Sequence, residues 1–234
     1  MKRFGLFIVA ILAFGLGGAA RGSADGLIVN GSFEKPSLSA GGWTMVPNGT
    51  PGFGWATTDS AGDMEIDTPG AIGGSSAYEG KQSLEVNAYN PEDVYQTITG
   101  LTVGKTYLLS WAYGDRPGSG DEELQVFFTP TTDLTDAIPV ATDFDNLDGS
   151  NPTLLWFPNS VVVTATSTTE VLSFNGVYDS GVTNNGGISY GNEIDAVSLM
   201  ATPEPSTLLF FVSGLGLLSL AWLRQRPLPV FSRL

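Results

Sequence analysis

Cysteine and histidine are both absent from the 234 residues. Without cysteine there is no disulfide and no thiolate site. Without histidine the chain lacks the commonest metal ligand and the commonest general base. Positive charge is scarce as well. Between Asp25 and Thr202 the basic residues are Lys35, Lys81, Lys105 and Arg116, against every one of the chain's 24 Asp and Glu except Glu204, a formal charge of −19. Such a surface repels nucleic acid and anionic lipid heads and draws divalent cations, which argues against a nucleic-acid partner. Nucleophilic catalysis would need a Ser-Lys or threonine route.

Helical periodicity is missing outside the two terminal segments. What is there instead is a chain rich in Gly, Thr, Ser, Asn and Asp with short apolar alternations. Strands are expected at Leu27-Ile28-Val29, at Met64 to Asp67, at Gln82 to Asn87 and at Val94 to Ile98. The strongest runs through Tyr107, Leu109, Trp111 and Tyr113 on one face, with Leu108, Ser110 and Ala112 on the other, so it belongs inside a sheet. Leu124, Val126 and Phe128 mark the next. Further strands are expected at Leu154 to Phe157, Val161 to Ala165, Glu170 to Phe174 and Glu193 to Leu199. Residues 36–54 and 69–80 read as loops, and 131–151 as an acidic excursion. Short strands with turn signals between them predict an all-β sandwich of two antiparallel sheets. Trp43, Val46, Trp111 and Trp156 are expected in its core.

The ends are different. Met1-Lys2-Arg3, the apolar run Phe4–Leu16 and the small residues Gly17–Ala24 have the three regions of a secretory signal peptide, cut after Ala24 or after Ala20. Near the other end, Pro203-Glu204-Pro205-Ser206 precedes an uncharged run to Leu223 and then Arg224-Gln225-Arg226. The run is slightly short of the roughly 20 residues a bilayer crossing prefers, and the arginines would hold its end in the cytoplasm. The mature domain is then 25–202, the transmembrane helix about 207–223 and the cytoplasmic tail 227–234.

Two resemblances follow from these residues. Pro203, Glu204 and Pro205, the apolar helix, and Arg224 with Arg226 resemble the PEP-CTERM sorting signal of Gram-negative bacteria, within a span of 203–226. That resemblance implies processing by an exosortase, transient anchoring in the inner membrane, and delivery to the cell envelope or extracellular matrix. Residues 227–234 follow where the signal usually stops, and an ordinary single-pass anchor is the other reading. The mature domain resembles the galactose-binding-like jelly rolls. The shared frame is Asn30-Gly31-Ser32-Phe33-Glu34, Trp43, Gln82 to Val86, Val94 to Ile98, Gly104 to Tyr107, and Ile194 to Leu199. Arg116-Pro117-Gly118 points within that group to the DUF642 cell-wall proteins.

The jelly-roll resemblance implies a structural calcium site built from Glu34 and Asp195, with Glu193 as a third contributor. Oxygen ligands of this kind suit calcium. The plainer alternative has Glu34 and Asp195 as a solvated edge or bonded to turn amides. Asp143 to Gly149 has the flavour of a calcium loop, but its glycine falls at position 7 and no Glu stands at position 12, so it fails as an EF-hand. For a polysaccharide, loop aromatics offer flat faces and polar side chains meet the hydroxyls. Trp55, Tyr89, Tyr178 and Tyr190 are the candidates, with Asn87, Asp115 and Arg116 as polar partners. Arg116 could equally pin its own turn through a carboxylate. These expectations describe an exported, non-enzymatic module. The alternatives are a purely structural matrix protein and a glycoside hydrolase using paired carboxylates.

Overall fold

The computed structural model describes residues 26–71, 75–88, 93–116, 122–144, 153–178 and 191–202. The signal-peptide, sorting-signal and transmembrane expectations fall on residues 1–25 and 203–234, outside the described residues, as do Tyr89 and Tyr190. Among the described residues no helix is long and apolar enough to cross a membrane.

Eleven strands are described: β1 (Trp43–Pro47), β2 (Ala56–Thr57), β3 (Asp63–Asp67), β4 (Ser83–Glu85), β5 (Asp93–Thr99), β6 (Thr106–Asp115), β7 (Glu122–Thr129), β8 (Ala141–Phe144), β9 (Leu155–Thr164), β10 (Thr169–Tyr178) and β11 (Glu193–Ala201). They form a six-stranded sheet in the order β1-β3-β4-β11-β6-β9 and a five-stranded sheet in the order β2-β5-β10-β7-β8. The recorded strand pairs are antiparallel. The protein is thus an all-β sandwich consistent with a jelly roll.

Period-two alternation explains the core. Ile66, Leu84, Ile194 and Tyr113 lie opposite one another on four successive strands and are buried. Facing them, Leu124, Val126, Leu172 and Phe174 come from the second sheet. Each such side chain contributes roughly 1.5–3 kcal/mol by leaving water. Aromatic rings fill the space between: Trp55 packs on Phe33 and Phe174, and Trp111 meets Phe174 edge-on.

The structure departs from the sequence reading in four places. Leu27-Ile28-Val29 is not a strand, because the amide and carbonyl of Val29 pair with the side-chain amide of Gln96. Residues 43–47 form β1 instead of a loop, and Trp43 is 59% exposed on it while Val46 is buried. The acidic excursion returns to the sandwich as β8, paired with β7. Finally, the two expected strands at 154–165 are one, running straight through Pro158. That strand is a sheet edge, where a missing N–H costs nothing.

Candidate functional site

Opposed residues on paired strands point to the same face of a sheet. Met45, Glu65, Glu85, Glu193, Gly114 and Trp156 form one such row across all six strands of the larger sheet. Trp43 and Asp67, opposite each other two residues along, share the row's face. This face is turned away from the core that Met64, Ile66 and Leu84 enter from the same strands. An apolar residue alternating with an acid is normally the signature of a wet surface, yet Glu65, Asp67, Glu85 and Glu193 are all buried.

Part of the cover is visible. Residues Ser75 to Gln82 form a strap across this side. At one end Ser75 Oγ accepts the amide of Leu154 at 2.9 Å, and the Ser76 carbonyl accepts Trp156 Nε1 at 2.9 Å. Tyr78 packs against the Trp156 ring, with centroids 6.1 Å apart. Gly114 makes room below. A Cβ there would lie 2.7 Å from Glu193 Cβ and 2.8 Å from Trp156 Cζ3, so the indole lies beside Glu193 over a bare backbone.

The electrostatics are one-sided. Arg116 is the cation of the group, and its guanidinium donates to Glu85 Oε2. Glu85 Oε1 takes the amide of Gly191 at 2.7 Å. Both oxygens of Asp67 and both of Glu193 are buried, and no donor among the described residues reaches them. Burial, then repulsion from Asp67, pushes Glu65 up to about 7, with Arg116 pulling the other way. Burial likewise raises Asp67, and it raises Glu85 and Glu193 well above the usual carboxylate range. Burial works to lower the Arg116 pKa, but Glu85, Glu193, Asp67 and Glu65 outweigh it and raise it.

The residues expected to hold calcium are placed separately. Glu34 Oε1 accepts the amides of Lys81 and Gln82 at 2.6 and 2.9 Å. Asp195 accepts Glu79 N at 2.7 Å and Ala196 N at 2.6 Å. The two carboxylates therefore grip the same strap, next to a register shift in β11 where Ala196 has φ of 50°. Asp195 is fully buried, and desolvation pushes its pKa up to about 8, with Glu79 adding repulsion. Glu193 is brought to the acidic row rather than to this pair. Glu79 gives its backbone amide to Asp195 from an irregular stretch that no periodic pattern marks.

The aromatic expectations are partly reversed. Trp55 is no loop platform: it is 3% exposed, with Nε1 donating to the Asn30 carbonyl at 3.2 Å. Trp43, expected in the core, is exposed on the acidic face, and Trp156, also expected inside, is half-buried there. Asn87 is fully buried and wedged against Gly176 and Gly191, so it cannot meet a ligand from solvent. Arg116 binds a carboxylate, Glu85, as its turn-pinning alternative allowed. Asp115 and Tyr178 end β6 and β10, and their side chains lie outside the described residues. Asp143 is tied to Trp111 and Asn159, and the rest of its acidic loop is outside the described residues.

No family model matches the chain. A 203-residue stretch covering 85% of it is 28% identical to halomucin of Haloquadratum walsbyi, and spans only 2% of that protein's length. Among solved structures, the K1 cleaved adhesin domain of Lys-gingipain from Porphyromonas gingivalis aligns over 70% of this chain and 100% of its own, at TM-score 0.45 and 16% identity. The xylan-binding CBM22-1 domain of a Paenibacillus barcinonensis protein aligns over 71% and 99%, at TM-score 0.42 and 13% identity. A Clostridium thermocellum xylanase fragment carrying a CBM22-1 module, solved with xylohexaose, aligns over 64% and 26%, at TM-score 0.43 and 16% identity. Carbohydrate-binding modules and adhesin domains are thus what this sandwich is similar to.

Proposed function

We propose that the chain is an exported, non-catalytic binding module that holds a polysaccharide of the cell envelope or extracellular matrix. The observation that carries this reading is the composition of one face. Trp43 stands exposed at one edge of the larger sheet, and Trp156 with Tyr78 stands at the other. Five strand spacings separate them, about 24 Å, the span of several sugar rings. Flat rings at both flanks of one sheet face suit a long polyhydroxylated chain.

Export rests on the signal peptide and on the PEP-CTERM resemblance, which makes an exosortase the processing partner and the inner membrane a temporary anchor through the C-terminal helix. Calcium belongs to the same reading. Glu34 and Asp195 bring two carboxylates to the strap that carries Glu79, and Asp195 is buried there. A cation there would relieve the buried charge and fix the strap.

The test is a glycan array probed with the full-length protein, with and without calcium. Retention of one class of polysaccharide is expected, weakened by Trp43→Ala and Trp156→Ala. No retention in either condition would overturn the binding reading and leave a structural matrix role.

A further inference from the structure

We propose that Glu65, Asp67, Glu85 and Glu193 form a second site for a hard divalent cation of the calcium class, apart from Glu34 and Asp195. The first support is spacing. Glu65, Asp67 and Glu85 each offer an oxygen, and these lie within 4.8 Å of one another. Two oxygens bound to one calcium at its usual distances are no more than about 5 Å apart. Such spacing is what a shared cation requires, and it is what ionised carboxylates without one avoid.

The second support is independent of clustering. Asp67 is 4% exposed and Glu193 is 0% exposed, and none of their four oxygens has a donor among the described residues. Their carboxyls lie within hydrogen-bonding reach of each other. A buried acceptor without a donor is rare in folded proteins, and two buried carboxylates side by side are costly unless a proton or a cation joins them. A divalent cation between them would offset both charges. Arg116 cannot serve all four acids, because its guanidinium is engaged with Glu85 and one positive charge leaves an excess of three negative charges.

The donor set points to the class of ion. All four candidates are carboxylates, and the chain has no histidine or cysteine to favour zinc. Calcium accepts six to eight oxygens in irregular arrangements, which suits ligands whose positions are dictated by strand register. Three neighbouring strands, β3, β4 and β11, present them, so the site is preorganised. Asp195 is not available to it, being held by the amides of Glu79 and Ala196.

The inference does not depend on glycan binding, and its test uses none. Chelator-stripped full-length protein is titrated with calcium in a calorimeter and with terbium by sensitised emission. Trp156, beside Glu193, is the expected energy donor. Glu34→Gln/Asp195→Asn should still bind a calcium ion and still light terbium. Asp67→Asn/Glu193→Gln should lose that ion, and Trp156→Phe should keep calcium binding while terbium emission falls several-fold. Circular dichroism shows whether each variant folds. Should the Asp67/Glu193 pair fail to fold, Glu65→Gln takes its place, with calcium affinity expected to fall by about tenfold or more through the lost ligand charge. Calcium binding undiminished in the Asp67/Glu193 or Glu65 variants overturns the proposal. So does wild-type protein that takes up no calcium, the result expected if Asp67 and Glu193 merely share a proton.

Discussion

Asp143 offers the sharpest test of how the two sheets are joined. It lies on β8, the edge of the five-stranded sheet, while its partners belong to the other sheet. Its Oδ2 accepts Trp111 Nε1 at 2.8 Å and its Oδ1 accepts Asn159 Nδ2 at 2.9 Å. Asp143→Ala removes both acceptors. The Trp111 indole is buried, so its N–H would lose its partner without gaining water, a penalty of about 1–3 kcal/mol. Asn159 is half-buried and can turn to solvent, which limits its share to roughly 0.5–1 kcal/mol. A total of about 1.5–4 kcal/mol is expected, read as a lowered urea midpoint with an unchanged slope. A double-mutant cycle with Trp111→Phe isolates the indole bond, and a coupling of about 1.5–3 kcal/mol is expected for a bond to a charged acceptor. A coupling below roughly 0.5 kcal/mol would refute the clamp. Calcium affinity should not change in Asp143→Ala, because Asp143 acts here as a tie between sheets and not as an ion ligand.

Two further outcomes follow from buried contacts. Gly176→Ala should cost about 2 kcal/mol by overpacking, since a Cβ there would collide with Asn87 Oδ1. Adding Asn87→Ala should make the pair less costly than the sum of the two single changes, and simple additivity in urea unfolding would contradict this. Burial pushes the Asp93 carboxyl up to about 6 from an unfolded value of 3.8, and its Oδ1 has no donor among the described residues. Between those values the folded protein holds more protons than the unfolded chain, so stability falls as pH rises through that window and stays lower above it. Asp93→Asn should therefore be more stable than wild type near neutral pH, by roughly 1 kcal/mol after allowing for solvent screening, with the advantage vanishing near pH 4. Melting curves showing the same offset at both pH values would count against it.

The strands with clean alternation were legible before any coordinates: β3, β5, β6, β7, β10 and β11 lie where period-two patterns put them. Those that were not legible share a cause, namely partners that local sequence does not name. Trp43-Thr44-Met45-Val46-Pro47 shows little apolar run because only Val46 turns inward. Pro158 looks like a break until β9 is known to be an edge. Trp43 and Trp55 exchanged their expected places because a tryptophan's neighbours in sequence do not reveal whether a second sheet covers it. The acidic row was the hardest to foresee. Met64-Glu65-Ile66-Asp67 and Ser83-Leu84-Glu85 read as half-wet strands, and only the pairing of residues more than a hundred positions apart brings Glu193 beside them.

The strap from Ser75 to Gln82 ties distant parts of the domain together. One end is anchored to the edge strand β9 through Leu154 and Trp156, and the other is gripped by Glu34 near the chain's start and Asp195 near its close. Pulling on either anchorage must tug the other, since only a handful of residues intervene. Seating an ion where the carboxylates hold the strap would thereby set the tilt of the Tyr78 and Trp156 rings. Linkage runs both ways: a guest resting on those rings would tighten the ion's hold, without the two ever touching.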